Sequence, residues 1–380
     1  MCGIAGFLAL EQGVLATRNI AQAMCDVITH RGPDDQGFHV DGPLAMGMRR
    51  LSIIDLSGGH QPISNEDASV TVVFNGEIYN FQELRRDLES RGHDFKTNSD
   101  TEVIVHLYED HGTGCVAKLR GMFAFSLWDA KNRRLLLARD RLGIKPLYYS
   151  LERGRLLFGS ELKSLLAAGL DREIDPQALH DYLSLTYVPA PATIFRSARK
   201  LMPGTFLVAE RGVVKTERYW RLDFTPRTDV KTEDEAVELV REKVDDAVRS
   251  HLVADVPLGV FLSGGVDSAT LVACMRKYHS GPLKTFSIGF AEKSFSELDQ
   301  AREAARHFGT EHHELIVTPD AATLVPELVR SFDEPYADSS AIPVLCVSRL
   351  ARKHVTVALS GEGGDEVFAG YKTYTATRLD

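Results

Sequence analysis

Two short stretches carry the most legible chemistry in this chain. FLSGGVDS (261–268) leads an apolar strand into two glycines, with Ser268 where a helix would begin. Backbone N–H groups freed by such a turn, with the helix N-terminus behind them, form an anion cradle. The hydroxyls of Ser263 and Ser268 add donors. No Gly-Lys-Ser/Thr follows, so this is not a Walker A loop. Asp267 would repel a bare phosphate, and its presence implies Mg2+ between carboxylate and phosphates. LSGEGGDE (359–366) closes a second apolar strand in the same manner. Its Glu362, Asp365 and Glu366 beside three glycines suit metal and adenylate chemistry. A third feature poses a question: the chain opens MCGIAGF, with Cys2 directly behind the initiator methionine and Gly3 after it.

The elements that must position these stretches fall into two textures. Up to about residue 205 the chain reads as many short strands with few helices. TVVF (71–74) runs into turn-rich NGEIYN, and FQELRRDLESR predicts a helix stopping at Gly92. Ser99 and Glu102 have capping-box spacing, opening a helix that closes at Gly112. MFAFSLWD and RRLLLARD read as paired strands, and LYYSLERGRLLFGS as a hairpin turning at Arg153–Gly154. This pattern predicts a layered α+β unit. The polar, proline-interrupted YWRLDFTPRTDVKTED reads as a linker. Beyond it, Thr232 and Glu235 form another capping box, opening a helix with apolar Val237, Val240, Val244, Val248 and Leu252 on one face. Strands and helices then alternate, which predicts a doubly wound parallel α/β sheet. Ligands in such sheets sit beyond the carboxyl ends of the strands, where both glycine loops fall, so the loops can face one site.

At 380 residues two domains are expected. A hydrophobic content of 44% and a charged content of 26% describe a globular protein. No run of eighteen apolar residues is present, and the first twenty residues lack a secretory pattern, so no membrane partner is expected. A net charge of −9 without a Lys/Arg cluster argues against nucleic acid. The five cysteines are scattered, without metal spacing or a disulfide framework, which fits a reducing cytoplasm.

SGGVDS is similar to the loop of ATP-pyrophosphate amidoligases, and MCGIAGF to the start of a class II glutamine amidotransferase. Together with RLSIID, NGEIYN, GMFAFSLWD, RDRLGIKPLYY and LSGEGGDEVFAGY, the chain resembles the glutamine-hydrolysing asparagine synthetases from residue 2 to about 372. The resemblance implies an α+β N-terminal-nucleophile hydrolase sandwich (αββα) over 2–218 and a linker over 219–233. An α/β doubly wound, parallel-sheet ATP pyrophosphatase domain would follow over 234–380.

The resemblance also implies roles. Cys2 would be the nucleophile after removal of Met1, with its own α-amine as base; an amine pKa near 7.7–8.0 suits that task. Asn75 and the Gly76 N–H would form the oxyanion hole. Arg50 would fork onto the glutamine carboxylate, and Glu77 and Asp100 would hold its ammonium. Leu262, Ser263, Gly264, Gly265, Asp267 and Ser268 would bind ATP, with Ile288 at the adenine and Ser360 and Gly361 at the nucleotide. Glu362 would assist acyl-adenylate formation, and Asp267 and Asp365 would hold Mg2+. His30 is not needed as a base, and His312 and His313 read as flanking a strand.

The implied reaction is glutamine hydrolysis, ammonia transfer through a channel, and β-aspartyl-AMP formation from aspartate and ATP. Two departures stand out. DEPYADSSAIPV carries no arginine where some relatives have one for aspartate, which leaves another carboxylate acceptor open. Relatives continue well beyond AGYK, so a C-terminally incomplete synthetase half is expected, active in glutamine hydrolysis but making little asparagine. A non-catalytic glutamine/ATP-binding protein is the alternative of a different class. A homodimer is common in the family, but no interface signature stands in the sequence.

Overall fold

The computed structural model describes the chain apart from residues 12, 227, 293, 295, 319, 320 and 380 and the side chains of 321–323, 375, 378 and 379. Period-2 patterning in the first half produces twelve strands: β1 (Gly3–Ala9), β2 (Asp35–Asp41), β3 (Leu44–Arg50), β4 (Ile63–Ser64), β5 (Val70–Ile78), β6 (Gly121–Asp129), β7 (Arg134–Arg139), β8 (Tyr148–Glu152), β9 (Arg155–Gly159), β10 (Ala198–Lys200), β11 (Thr205–Glu210) and β12 (Val213–Arg218). They form two six-stranded antiparallel sheets, ordered β10-β8-β9-β1-β3-β2 and β12-β11-β7-β6-β5-β4.

Alternation along each strand explains the layers. Ile4 and Leu8 of β1, Met46 and Met48 of β3, and Val73 of β5 share a buried cluster with Trp128, Leu137 and Leu207; this is the core between the sheets. The opposite faces meet helices. Ala5 and Phe7 pack on the helix Arg18–Asp26, and Val72, Phe74 and Ile78 on the helix Val103–His111. Helix, sheet, sheet, helix is the αββα sandwich of the N-terminal-nucleophile hydrolases.

Local signals fared unevenly. The hairpin turns at Arg153–Gly154, both at positive φ (52° and 66°). The second capping box forms: Glu235 N donates to Thr232 Oγ1 and Thr232 N to Glu235 Oε2, each at 3.2 Å. The first does not. Ser99 caps a short 3-10 turn, Asp100–Glu102, by accepting Thr101 N, but Glu102 reaches back further, to the N–H groups of Lys96 and Thr97. Thr97 Oγ1 accepts the Ser99 N–H instead, so the loop has claimed both halves of the box. On the helix Glu233–His251 the apolar face is packed from Val244 onward, while Val237 and Val240 stay exposed.

The remaining strands, β13 (Leu258–Phe261), β14 (Lys284–Phe290), β15 (Glu311–Val317) and β16 (Val357–Leu359), form one parallel sheet ordered β15-β14-β13-β16 with intervening helices. This is the doubly wound α/β unit. The chain divides into Met1–Thr225 with Val329–Asp338, and Pro226–Leu328 with Ser339–Asp380. The decapeptide 329–338 thus belongs to the first unit, although the sequence around it belongs to the second. Asp333 accepts the Lys163 N–H at 2.8 Å, and Glu334 accepts the Ile194 N–H at 3.2 Å and pairs with Lys200 Nζ at 2.5 Å. The Asp333 and Glu334 carboxylates are therefore committed to this unit's backbone and lysines.

Candidate active site

Strand parity gathers the first group of residues. Even positions of β1, even positions of β3 and odd positions of β5 face the inter-sheet core. Cys2, Arg50, Asn75 and Glu77 continue those rows at one end of the sandwich. β1 and β3 run antiparallel with Gly3 opposite Arg49, which sets Cys2 beside Arg50. A Cβ on Gly3 would come within 2.9 Å of Ile28 Cδ1, so the backbone behind Cys2 is tightly seated.

The Cys2 sulfur is within 3.4 Å of the Leu51 N–H and 3.6 Å of the Leu51 carbonyl. Burial raises its pKa, so the resting group is a thiol that needs a base. Arg31 Nε donates to the Cys2 carbonyl at 2.9 Å and its Nη1 to Glu161 at 2.9 Å, anchoring the strand entry. His30 pairs with the same Glu161 at 3.0 Å.

Asn75 is 1% exposed, yet its Nδ2 and Oδ1 are both buried without a hydrogen-bond partner among the described residues. An unsatisfied buried amide costs about 1–3 kcal/mol. Here it sits at the mouth of the row that ends on Cys2. Gly76 beside it is required sterically, because a Cβ would lie 2.2 Å from the Met122 carbonyl on β6.

Arg50 is buried and donates to the carbonyls of Ile54 (3.0 Å), Asp55 (2.8 Å) and Leu56 (3.4 Å), which fixes its plane. Of the five N–H donors of a guanidinium, two remain. Asp100 accepts the Ile78 N–H at 2.8 Å. Burial lifts its carboxyl to about 6, and burial plus the neighbouring Asp100 raise Glu77 well above the usual range. Two buried carboxylates raised in this way form a receptor for a cation.

One member of the site escaped the sequence reading. Lys145, in the stretch RDRLGIKPLYY, is buried; burial depresses its amine while the charge of Glu77 supports it. No local pattern distinguishes it from a surface lysine; only the topology turns it inward.

The second group lies where the strand order of the parallel sheet reverses. β14 lies on one side of β13 and β16 on the other, so the loops after β13 and β16 flank one crevice. Gly264 has φ +85° and a Cβ there would meet Gln300 Cβ at 2.6 Å. The helix Val266–Tyr278 starts at Gly265. Ser268 Oγ accepts the Ser263 N–H at 3.2 Å and donates to the Gly265 carbonyl at 3.1 Å. Ser263 Oγ accepts the Gly265 N–H at 3.3 Å, so these hydroxyls brace the loop.

The two glycine loops meet. A Cβ on Gly361 would lie 3.0 Å from Asp267 Cβ, and one on Gly364 would lie 2.2 Å from Asp267 Oδ2. Leu262 is buried and ties to Phe286, and Ile288 is half-buried on β14 beside it. Ser360 Oγ accepts the Glu362 N–H at 3.4 Å, and Glu362 is exposed. The Asp365 carboxylate lies against Gly370.

Comparison with known proteins agrees with this division. Residues 1–220 match the model of a glutamine amidotransferase domain, and residues 239–380 that of asparagine synthase. The chain belongs to the family of the glutamine-hydrolysing asparagine synthetases, in which those two domains are joined. It is 44% identical over 98% of its length to glutamine-hydrolyzing asparagine synthetase 1 of Bacillus subtilis, covering 59% of that protein. With asparagine synthetase 3 of the same organism the identity is 35%, over 98% of this chain and 63% of the relative. Amidase chyE of Penicillium rubens is 34% identical, over 100% of this chain and 60% of that protein. The chain thus spans about three fifths of the length of these relatives.

Proposed function

We propose that the chain hydrolyses glutamine at Cys2 and directs the ammonia to the ATP-dependent amidation of aspartate. Asn75 carries the first half. A buried amide with no hydrogen-bond partner among the described residues, on the strand row that faces the thiol's across the core, is a donor held for an oxygen that exists only during reaction. After removal of Met1, the Cys2 amine takes the thiol proton and sulfur attacks the glutamine side-chain amide. Asn75 Nδ2 and the Gly76 N–H stabilise the oxyanion, ammonia leaves, and water hydrolyses the thioester to glutamate. Arg50 pairs with the substrate carboxylate through an N–H left over from its backbone carbonyl bonds, while Glu77 and Asp100 receive its ammonium and so regain the charge that burial suppresses.

The match over 239–380 and the paired glycine loops support the second half. Backbone groups of 262–265 would cradle the phosphates, Ile288 would border the adenine, and Ser360 and Gly361 the nucleotide. Asp267, facing the second loop, has the hard oxygen donors that suit Mg2+, and Asp365 would be its companion; the cation neutralises phosphate charge. Glu362 would assist as the aspartate β-carboxylate attacks the α-phosphorus and pyrophosphate leaves. Ammonia then displaces AMP. The likeness to amidase chyE, together with the commitment of Asp333 and Glu334 to lysines, favours one second reading: the same chemistry on a different carboxylate.

Measuring glutamate and AMP release separately tests both halves. Cys2→Ala is expected to abolish glutamate release, and AMP release is expected to depend on aspartate with ammonium supplied. Undiminished glutamate release by Cys2→Ala overturns the first half. AMP release that responds to another carboxylate and not to aspartate replaces the acceptor.

A further inference from the structure

A second cluster of reactive side chains lies on the first unit, outside everything assigned above. Glu66 comes from the turn between β4 and β5, and His93 from the loop after the helix Phe81–Ser90. His106 and Glu109 share one face of the helix Val103–His111 at i, i+3 spacing. One ligand atom from each residue falls in a group whose members all lie within 4.8 Å of one another.

The spacings are informative. His106 Nδ1 is 3.2 Å from Glu109 Oε2 and 3.5 Å from Glu66 Oε2. His93 Nδ1 is 3.6 Å from Glu66 Oε1 and 3.6 Å from Glu109 Oε2. A tetrahedron drawn around Zn2+ with bonds of about 2.0–2.1 Å has edges of about 3.3–3.4 Å. Two ring protons can satisfy only two of these four approaches, which involve both oxygens of Glu66; a cation among the four residues engages one ligand atom of each.

The outer atoms are organised as a metal site requires. His93 Nε2 meets Asp110 Oδ1 at 3.2 Å. His106, 0% exposed, has an Nε2 without a hydrogen bond among the described residues, with the Glu102 carboxylate 3.8 Å away. The His93 imidazole therefore backs onto a carboxylate, the arrangement that orients metal-binding histidines, while that of His106 faces the Glu102 carboxylate without a hydrogen bond. Glu109 Oε1 accepts Asn65 Nδ2 at 2.8 Å, and Glu66 Oε1 accepts the Asp94 N–H at 3.0 Å. Phe95 covers His106 with ring centroids 4.5 Å apart.

The geometry points to a structural site for a first-row divalent cation, Zn2+ being the best fit, held by Glu66, His93, His106 and Glu109. Two neutral imidazoles and two carboxylates balance its charge and match its donor preference. The bound ion ties the 63–70 turn and the 91–98 loop to the helix, immediately ahead of Asp100.

The full-length chain, with Cys2→Ser to remove the competing thiol, is stripped with chelator and titrated with Zn2+ against a chromophoric competitor. One tight equivalent is expected, lost in His93→Gln and weakened about 10- to 100-fold in Asp110→Asn. Co2+ substitution is expected to give the strong visible bands of a tetrahedral ion, a readout that needs no variant to fold. Zn2+ uptake unchanged in both variants, or Co2+ bands of a six-coordinate ion only, overturns the site and leaves an imidazolium–carboxylate network.

Discussion

Asp100 accepts the backbone N–H of Ile78 at 2.8 Å, which locks a loop carboxylate onto the strand that carries Asn75 and Glu77. Because burial lifts this carboxyl to about 6 from 3.8, it is neutral below that pH and cannot attract the substrate ammonium. The KM for glutamine is expected to rise about tenfold per unit as pH falls from 6 to 5. Stability responds with the opposite sign. The folded state binds the proton more tightly than the unfolded one, so Asp100 alone lowers stability by roughly 3 kcal/mol as pH rises from 4 to 6, and the raised Glu77 carboxyl adds a decline of the same sign. Asp100→Asn should reduce both slopes to the part that Glu77 contributes while lowering kcat/KM. A KM insensitive to pH in the unmodified enzyme would remove Asp100 from the ammonium site.

The unpaired Asn75 amide predicts a split between activity and stability. Asn75→Ala removes the proposed oxyanion donor, for which kcat should fall by about 10²–10³-fold. The same change deletes a buried polar group that has no hydrogen-bond partner among the described residues, so the melting temperature should hold or rise. Single-turnover glutamate release and calorimetry on the same sample decide the matter; a parallel loss of both would mean that the amide serves the fold.

Much of this site was visible in the sequence because it depends on short-range rules. The resemblance carried by MCGIAGF and NGEIYN picks out Cys2, Asn75 and Glu77, and SGG with a following helix already defines a phosphate loop. What was hidden depends on long-range closure. Lys145 turns inward because its loop crosses the end of the sandwich. Ser99 and Glu102 have the right spacing for a capping box, yet Thr97 and Lys96 compete for the same groups. DEPYAD reads like part of an acceptor site until Lys163 and Lys200 are found beneath it.

That decapeptide should be separable from glutamine chemistry. Glu334→Gln removes the partner of Lys200 and weakens the acceptor for the Ile194 N–H, at roughly 1–3 kcal/mol. Limited proteolysis is expected to cut within 329–338 faster than in the parent, with the glutamate release rate preserved. Unchanged cleavage would show that Asp333 alone holds the segment.

Gly264 tests the second loop independently of the first. Its φ of +85° is unfavourable for any residue with a side chain, and a Cβ there would sit 2.6 Å from Gln300 Cβ. Gly264→Ala is expected to abolish nucleotide binding, read by equilibrium dialysis with ATP, and to leave glutamate release intact. Retained ATP affinity would place the phosphates elsewhere.

Lys145 is the cation that keeps Glu77 usable. Burial and Asp100 raise Glu77, and the Lys145 charge opposes them. Lys145→Met keeps the apolar stem and removes the charge, so Glu77 should ionise at a higher pH than in the parent. The Cys2 thiol loses a nearby positive charge by the same change and shifts in the same direction. Both effects move the acid limb of kcat/KM for glutamine toward alkaline pH, by about one unit for a loss of about 1.4 kcal/mol of interaction. Activity should therefore fall on the acid side of the profile and recover toward the parental value as pH rises. A uniform loss at every pH would mean that Lys145 touches the substrate directly and does not act through Glu77.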